Sequence, residues 1–490
     1  MKIARPHQEY AIAKLRESIS SGKRRPVLCL PTGAGKTFVA TLIVEGALKK
    51  GNRVAFVVPA KSLINQTVEA FNAHGIYEIG VQQADHPMRN PMMPVQVCSE
   101  QTLSRRGVVH LADIVIVDEC HRRSTFMDEW MSSEDWKGVL FIGLSATPWA
   151  KGMADYYDDL IIAETTQGLI DKGLLAPFRV FAAGHPDLSK VTMSGDDYNL
   201  KKLSEAMSEG KLISGIVDNW LANGENRPTF CFCVDVAHAN KVREKFLNYG
   251  IGCDIITAHT ETHDREEVKR KFHTGETKVV VNVGTLTTGV DWDVRCMILA
   301  RATKSEILYT QMVGRVLRTA EGKVDALIFD HSDTTQRLGF VTDIHHTKLL
   351  GGQSSKSGKS EKETPLPKEC KKCTYLKPAK VVTCPNCGHK PERFSDVEEV
   401  EGELKEVNGK KRVFTMDEKQ AWYSGFIWMA KQKGHNPNSA YYLFRERFDA
   451  FPSNKLRKIP APPTEEMENW MKYRNIRRAK RNELQRHNKA

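Results

Sequence analysis

Residues Pro26–Lys50 read PVLCLPTGAGKTFVATLIVEGALKK. The apolar run PVLCL ends in the turn PTGAGKT (Pro31–Thr37), and FVATLIVEGALKK opens a helical pattern. A strand that turns through glycines into a helix is a phosphate cradle. Gly33 and Gly35 let backbone N–H groups, with those of Thr32 and Ala34, close around phosphate oxygens. Lys36 brings a positive charge, and the Thr37 hydroxyl can reach a Mg²⁺ ion. The strict form of the loop has Gly where Leu30 stands, so this is the relaxed form.

Working outward, VAFVVP (Val54–Pro59), VQVCS (Val95–Ser99), IVIVDE (Ile114–Glu119) and VLFIGLSAT (Val139–Thr147) are further apolar runs separated by helical patterns. Such runs predict a parallel sheet covered on both faces. TFCFCV (Thr229–Val234), CDIITAH (Cys253–His259), KVVVNV (Lys278–Val283), CMILA (Cys296–Ala300) and DALIFD (Asp325–Asp330) repeat the style. Two tandem α/β units are expected, over residues 1–170 and 171–345. IVIVDECH puts Asp118 and Glu119 at the carboxyl end of a buried strand, where open α/β sheets bind ligands. Asp118 is expected to hold Mg²⁺, and Glu119 to orient and deprotonate an attacking water. QMVGRVLR (Gln311–Arg318) predicts a helix with Gln311, Arg315 and Arg318 at i, i+4 and i+7, one face that can neutralise a γ-phosphate across a cleft.

Residues 346–368, rich in Gly, Ser, Lys and Pro, read as a flexible linker. Residues 369–393 hold CKKC (Cys370, Cys373) and CPNC (Cys384, Cys387), two Cys-x-x-C knuckles with ten residues between. Four thiolates suit tetrahedral Zn²⁺, with iron the main competitor, and Gly388 permits the tight knuckle turn. This zinc ribbon has no open position and is assigned no catalysis. Residues 394–490 comprise an acidic stretch, an aromatic helical segment (Ala421–Pro452) and a basic tail. Trp422, Phe426 and Met429 fall on one helical face, which reads as core packing rather than base stacking.

The net charge of +12 favours a polyanionic partner. Eleven cysteines in a signal-free chain argue against a disulfide framework, and the seven outside the knuckles read as reduced core residues. The N-terminus MKIARPHQEYA lacks an apolar signal core and no run of about 18 apolar residues occurs, so no membrane association is expected. A cytoplasmic location is the expectation, the host's cytoplasm were the chain viral.

These motifs, in this order over roughly residues 5–320, resemble the superfamily 2 helicases of the DEAD/DEAH group. The resemblance implies two RecA-like lobes with ATP between them. RPHQ (Arg5–Gln8) resembles the adenine-recognising segment, with Arg5 and Gln8 as nucleotide-binding residues. VPAKSLINQ (Val58–Gln66) and SEQTL (Ser99–Leu103) resemble strand-contacting motifs. SATP (Ser145–Pro148) resembles the motif coupling hydrolysis to nucleic acid, through Ser145 and Thr147. CFCVDVAHA (Cys231–Ala239) resembles the first motif of the second lobe. NVGTLTTGVDWD (Asn282–Asp293) resembles the motif touching nucleic acid and nucleotide, through Thr285, Gly289 and Asp291. Gln311 is implied at the nucleotide, with Arg315 and Arg318 as arginine fingers. The box is DECH rather than DEAD or DEAH, and Gln311 stands where DEAD-box RNA helicases carry His. Both departures point to DNA translocases, repair helicases and restriction-type motors. The layout, with a cysteine cluster after the second lobe, is similar to RadD-like bacterial and phage DNA helicases. The expectation is an ATP-dependent DNA helicase or translocase acting on single-stranded or forked DNA, with replication or repair proteins as candidate partners. The alternatives are a remodelling or annealing ATPase that never unwinds processively, and an RNA helicase.

Overall fold

The apolar runs become parallel strands because each must bury both faces. β1 (Pro26–Cys29), β2 (Val54–Val58), β3 (Ile79–Gln82), β4 (Val95–Ser99), β5 (Ile114–Asp118), β6 (Leu140–Ser145) and β7 (Asp159–Ile162) form one sheet in the order β3-β4-β2-β5-β6-β1-β7. Every pairing is parallel. Along β2, Phe56 and Val58 pack into the core on one face, Ala55 and Val57 into the core on the other. This two-sided burial is what an unbroken apolar strand requires. The computed structural model describes residues 3–83, 86–107, 112–182, 184–287, 291–352, 365–391, 414–434, 436 and 438–487, with backbone alone for 477–487. They belong to two compact units, Met1–Arg393 and Phe394–Ala490.

The second sheet starts at β8 (Phe178–Ala182). A small hairpin follows, β9 (Met193–Ser194) with β10 (Asp197–Tyr198). Then come β11 (Thr229–Cys233), β12 (Cys253–Ile256), β13 (Val279–Asn282), β14 (Cys296–Ala300) and β15 (Ala326–Asp330). The order is β12-β13-β11-β14-β15-β8, again all parallel. The chain is therefore α/β with two tandem parallel sheets, as its pattern implied. The seven cysteines outside the knuckles are free and buried. Of the strands in the two large sheets, three escaped the sequence reading: β3, β7 and β8. Each lies at a sheet edge, where one neighbour is missing and the apolar run is diluted, as by Arg179 within β8.

The cysteine segment covers one of those edges. β16 (Lys368–Glu369) and β17 (Leu376–Lys377) pair antiparallel as a ribbon. Ala182 N–H donates to the Thr374 carbonyl (2.8 Å), and the rings of Phe181 and Tyr375 meet edge to face at 5.6 Å. His185 lies between Asp333 (2.7 Å) and Glu369 (3.2 Å), tying the ribbon to the loop after β15. The start of the expected linker is pinned. His346 hydrogen-bonds Glu306 (2.7 Å) and lies against Trp149, and Ala154 N–H donates to the Leu350 carbonyl (3.0 Å). Apolar and ring-bearing side chains at 346–350 outweigh the glycines beyond them, so the flexible reading fails for that part; residues 353–364 lie outside the described residues.

The second unit is helical: Met416–Gln432, Ser439–Phe448 and Glu465–His487. Thr415 caps the first helix on the Glu418 N–H, and the Glu418 carboxylate bonds back to the Thr415 N–H. Trp422, Phe426 and Met429 bury together with Phe444 and Met467, the core role expected of that face. The acidic stretch from 394 to 413 lies outside the described residues. Among the described residues no helix is long and apolar enough to cross a membrane.

Candidate active site at the carboxyl ends of the strands

The loop after β1 turns into the helix Lys36–Leu48 with Gly33 at φ +91° and Gly35 at φ +85°. A side chain at Gly33 would lie 2.7 Å from Leu175 Cδ2, and one at Gly35 would strike Gln8 Nε2. The backbone conformation therefore requires glycine at both positions, and a side chain there would also have to displace the end of Leu175 or Gln8. Gln8 and His7 brace the loop from outside, both bonding the Ala34 carbonyl, at 3.0 and 2.8 Å. Gln8 Oε1 accepts from the Arg5 N–H (2.9 Å). Thr37 is exposed in the first helical turn. His7 was missed because nothing in the sequence separates a loop-bracing imidazole from a surface one.

Two strands away, β5 ends in Asp118 and Glu119. Glu119 adopts φ +51°, which takes the chain out of the sheet at once. Its carboxylate turns to the loop while Cys120 goes into the core. Lys36 Nζ lies 2.9 Å from Asp118 Oδ1 and bonds Glu119 Oε1. Burial lowers the affinity of Lys36 for its proton, but the two carboxylates outweigh it and hold the pKa above the ordinary lysine value. Burial raises Asp118 against the pull of Lys36, whereas for Glu119 the attraction of Lys36 overcomes burial and lowers it.

A polar chain continues from Glu119 into the second sheet. His121 Nδ1 lies 2.8 Å from Ser145 Oγ and 3.4 Å from Glu119 Oε2. Ser145 Oγ also accepts from the Thr147 N–H (2.9 Å). His121 Nε2 meets Gln311 Nε2 at 3.1 Å, across the cleft. The Gln311 amide donates, so Nε2 accepts and the imidazole proton lies on Nδ1, facing Ser145 and Glu119. Burial drives the His121 pKa down to about 4 against the opposing charge of Glu119, keeping the ring neutral. Ser145 and Thr147 are fully buried.

The helix Glu306–Val316 supplies the other wall. A side chain at Gly314 would fall 2.6 Å from Thr32 Cβ, so the helix lies directly on the phosphate loop. Arg315 is buried and donates from Nε to the Thr287 carbonyl (2.9 Å). Burial and the neighbouring Arg318 lower its pKa to about 10. The expected single helical face for Gln311, Arg315 and Arg318 is corrected at its last member. The helix stops at Val316, and Arg318 pairs in an antiparallel bridge with Leu175 and bonds Asp291. Lys323 holds this end: its half-buried ammonium donates to the carbonyls of Val294 (2.6 Å), Val316 (2.5 Å) and Arg318 (2.7 Å). Burial lowers its pKa to about 8, against the attraction of Asp293. Lys323 was invisible in the sequence because it sits in an ordinary turn, EGKVD. Thr285 bonds the Ile256 carbonyl (3.4 Å), and Gly289 lies outside the described residues.

The family described as Type III restriction enzyme, res subunit, matches residues 2–150, and the Helicase conserved C-terminal domain matches residues 211–320. The chain belongs to the superfamily 2 helicases of the DEAD/DEAH type. A 51.5 kDa protein of a Lactococcus phage (isolate 7-9) is 28% identical over 367 residues, covering 73% of this chain and 76% of the phage protein. The putative ATP-dependent helicase IRC3 of Saccharomyces cerevisiae is 27% identical over 363 residues, 67% of this chain and 51% of its own, so this chain spans about half of that relative. The structure of a fragment of a putative HsdR subunit of a type I restriction enzyme from Vibrio vulnificus YJ016 superposes with a TM-score of 0.53 at 22% identity, over 69% of this chain and 66% of that one, a likeness of fold.

Two outcomes follow from these contacts. His121 takes up a proton at an ordinary 6.5 when unfolded and at about 4 when folded. Its contribution is therefore complete above pH 6.5 and declines as pH falls, by about 2 kcal/mol between pH 7 and pH 5. Urea unfolding at the two pH values should show this drop in the wild type and a smaller one in His121→Gln; equal drops would refute it. Lys323→Met should free the backbone of Arg318, lowering ATP turnover about tenfold or more with little change in the KM for ATP. An unchanged turnover number would show that Lys323 does not position Arg318.

Proposed function

We propose that this chain is an ATP-driven DNA translocase or helicase, with residues 1–170 and 171–345 as its two lobes. The observation that carries the reading is the buried chain Lys36–Glu119–His121–Gln311, which runs from the phosphate loop into the second lobe. Such a chain lets the state of the nucleotide be felt across the cleft.

In this reading Gly33, Gly35 and Lys36 hold the phosphates, with Thr32 and Ala34 in the loop, and Arg5 and Gln8 face the base. The two carboxylates that Lys36 now neutralises lose that partner when a polyphosphate takes it. Asp118, with Thr37, would hold Mg²⁺, which would supply charge neutralisation at the phosphates. Glu119 accepts the proton of the attacking water. Its Oε2 accepts no hydrogen bond among the described residues and lies 3.4 Å from the neutral His121, which leaves it free to do so. Arg315 and Arg318 approach the γ-phosphate from the second lobe, and Gln311, Gly289 and Asp291 line the nucleotide. Ser145, Thr147 and Thr285 transmit the change to the bound strand.

Gln311 in place of His, and a first-lobe family described by a restriction-enzyme subunit, favour DNA over RNA. We also assign Zn²⁺ to the ribbon. The Sγ atoms of Cys370 and Cys387, and of Cys373 and Cys384, lie 3.7 Å apart, and all four lie within 4.8 Å of one another. A tetrahedron with Zn–S of about 2.3 Å has edges of about 3.8 Å. The ribbon would serve as a platform for DNA or for a replication or repair protein.

ATP hydrolysis measured with single-stranded, duplex and forked DNA and with RNA tests the motor. DNA should stimulate the wild type and leave Lys36→Ala inactive. Stimulated hydrolysis by Lys36→Ala would remove the assignment, and stimulation by RNA alone would replace DNA. For the metal, elemental analysis should find one zinc per chain, lost in Cys384→Ser. Because the ribbon covers β8, that variant should also become cleavable by trypsin around Lys371–Lys380. A metal-free wild type with the same protease resistance would exclude the site.

A further inference from the structure

The helical unit carries an excess of positive charge. Residues 414–490 hold 16 Lys and Arg against 8 Asp and Glu, much of the chain's net +12. Its aromatics divide into two sets. Trp422, Tyr423, Phe426 and Phe444 are buried together. Tyr442 and Tyr473 are 62% and 67% exposed, and Phe451 stacks on Tyr441 with Arg445 over its ring at 4.6 Å. Exposed rings interleaved with cations bind single-stranded nucleic acid, since every base offers a face to stack on and every nucleotide a phosphate.

A cavity of about 560 Å³ opens beside Tyr442. Met429, Leu443 and Met471 give it apolar walls, and Lys433 and Arg474 bring positive charge. Arg474 donates from Nε to Glu446 (2.8 Å), which fixes its guanidinium, whereas Lys433 is exposed and has no ion pair among the described residues. Apolar walls, one ring and two cations match an unpaired nucleotide: base against the thioethers and Tyr442, phosphate on Lys433.

We propose that this cavity is a second nucleic-acid site, which takes an unstacked nucleotide of a single strand independently of the ATP cleft. The proposal rests on the reading of the chain as a nucleic-acid motor, but its test does not depend on hydrolysis. The full-length protein is irradiated with a single-stranded oligonucleotide carrying 5-iododeoxyuridine, and cross-linked peptides are mapped by mass spectrometry. Affinities are measured by fluorescence anisotropy without ATP. The expected result is a cross-link at Tyr442, kept in Lys36→Ala. Tyr442→Ala should weaken binding about tenfold. Lys433→Glu should weaken it and reduce the salt dependence by about one phosphate contact or more. Both variants should keep the ATPase rate measured without nucleic acid. Cross-links confined to residues 1–393, with both variants binding as the wild type, would overturn the proposal. So would binding of a polyglutamate peptide that Lys433→Glu abolishes while single strands bind both proteins equally, which would assign the cavity to an acidic protein segment. Loss of stimulated hydrolysis in Lys36→Ala with the Tyr442 cross-link retained separates this site from the motor.

Discussion

One ammonium group organises the site. Lys36 is half-buried at the start of the helix that follows β1, and a charge withdrawn from water is tolerated only when paired. Its partners are the two carboxylates ending β5, and bringing them within reach fixes how the intervening β6 must lie and how sharply the chain must leave β5 at Glu119. The positive φ at Glu119 is a local cost, tolerated because the surroundings over-determine it: Lys36 holds the carboxylate, and Cys120 beside it is anchored by its N–H to the Leu144 carbonyl (3.2 Å). In the proposed motor the same pairing would make the site responsive: the negative charge of a nucleotide would compete for Lys36, and the displaced carboxylates would need another cation. Glu119 also faces His121, and His121 faces Gln311, so that exchange would be felt in the second lobe.

The second lobe meets this constraint with two devices that hold cations in place. Arg315 is buried against the Thr287 carbonyl, so its position follows the loop between β13 and β14. Arg318 lies beyond the helix end, where helix carbonyls would otherwise be unpaired. Lys323 fills that need and fixes the strand-like bridge to Leu175, whose side chain in turn presses on Gly33. The ribbon does the same for the far edge of the sheet. An exposed β8 would offer unpaired backbone groups and an apolar Phe181. The Thr374 carbonyl and the Tyr375 ring cover both, so the ribbon belongs to the folding of this lobe.

The parts of this architecture legible in the sequence are those whose chemistry is local. A phosphate loop is a backbone conformation, and its glycines declare it. The acidic box declares itself through an apolar run ending in two carboxylates. The knuckles declare themselves by spacing. The edge strands β3, β7 and β8 did not, because burial on one side leaves a weaker apolar signal. Lys323, His7 and the neutral state of His121 did not, because each is defined by what approaches from elsewhere: His7 by a carbonyl 27 residues away, His121 by an amide 190 residues away. The termination of the helix before Arg318 belongs with these, since periodicity through QMVGRVLR gives no sign that a lysine further on will capture its carbonyls.

The aromatic block at 421–452 shows the same limit from the other side. Helical spacing identified Trp422, Phe426 and Met429 as one face, and they are core. Spacing does not say which tyrosines are surplus. Tyr441 and Tyr442 are adjacent in a helix, so they point about 100° apart, and a core that admits Ala440 and Phe444 has no room on that side for either. Tyr442 is thereby left at the mouth of a cavity walled by methionines, where an apolar ring would ordinarily be withdrawn from water. Retaining it there, beside Lys433, which has no ion pair among the described residues, is explained by a ligand with flat faces and negative charge, and a single nucleic-acid strand has both.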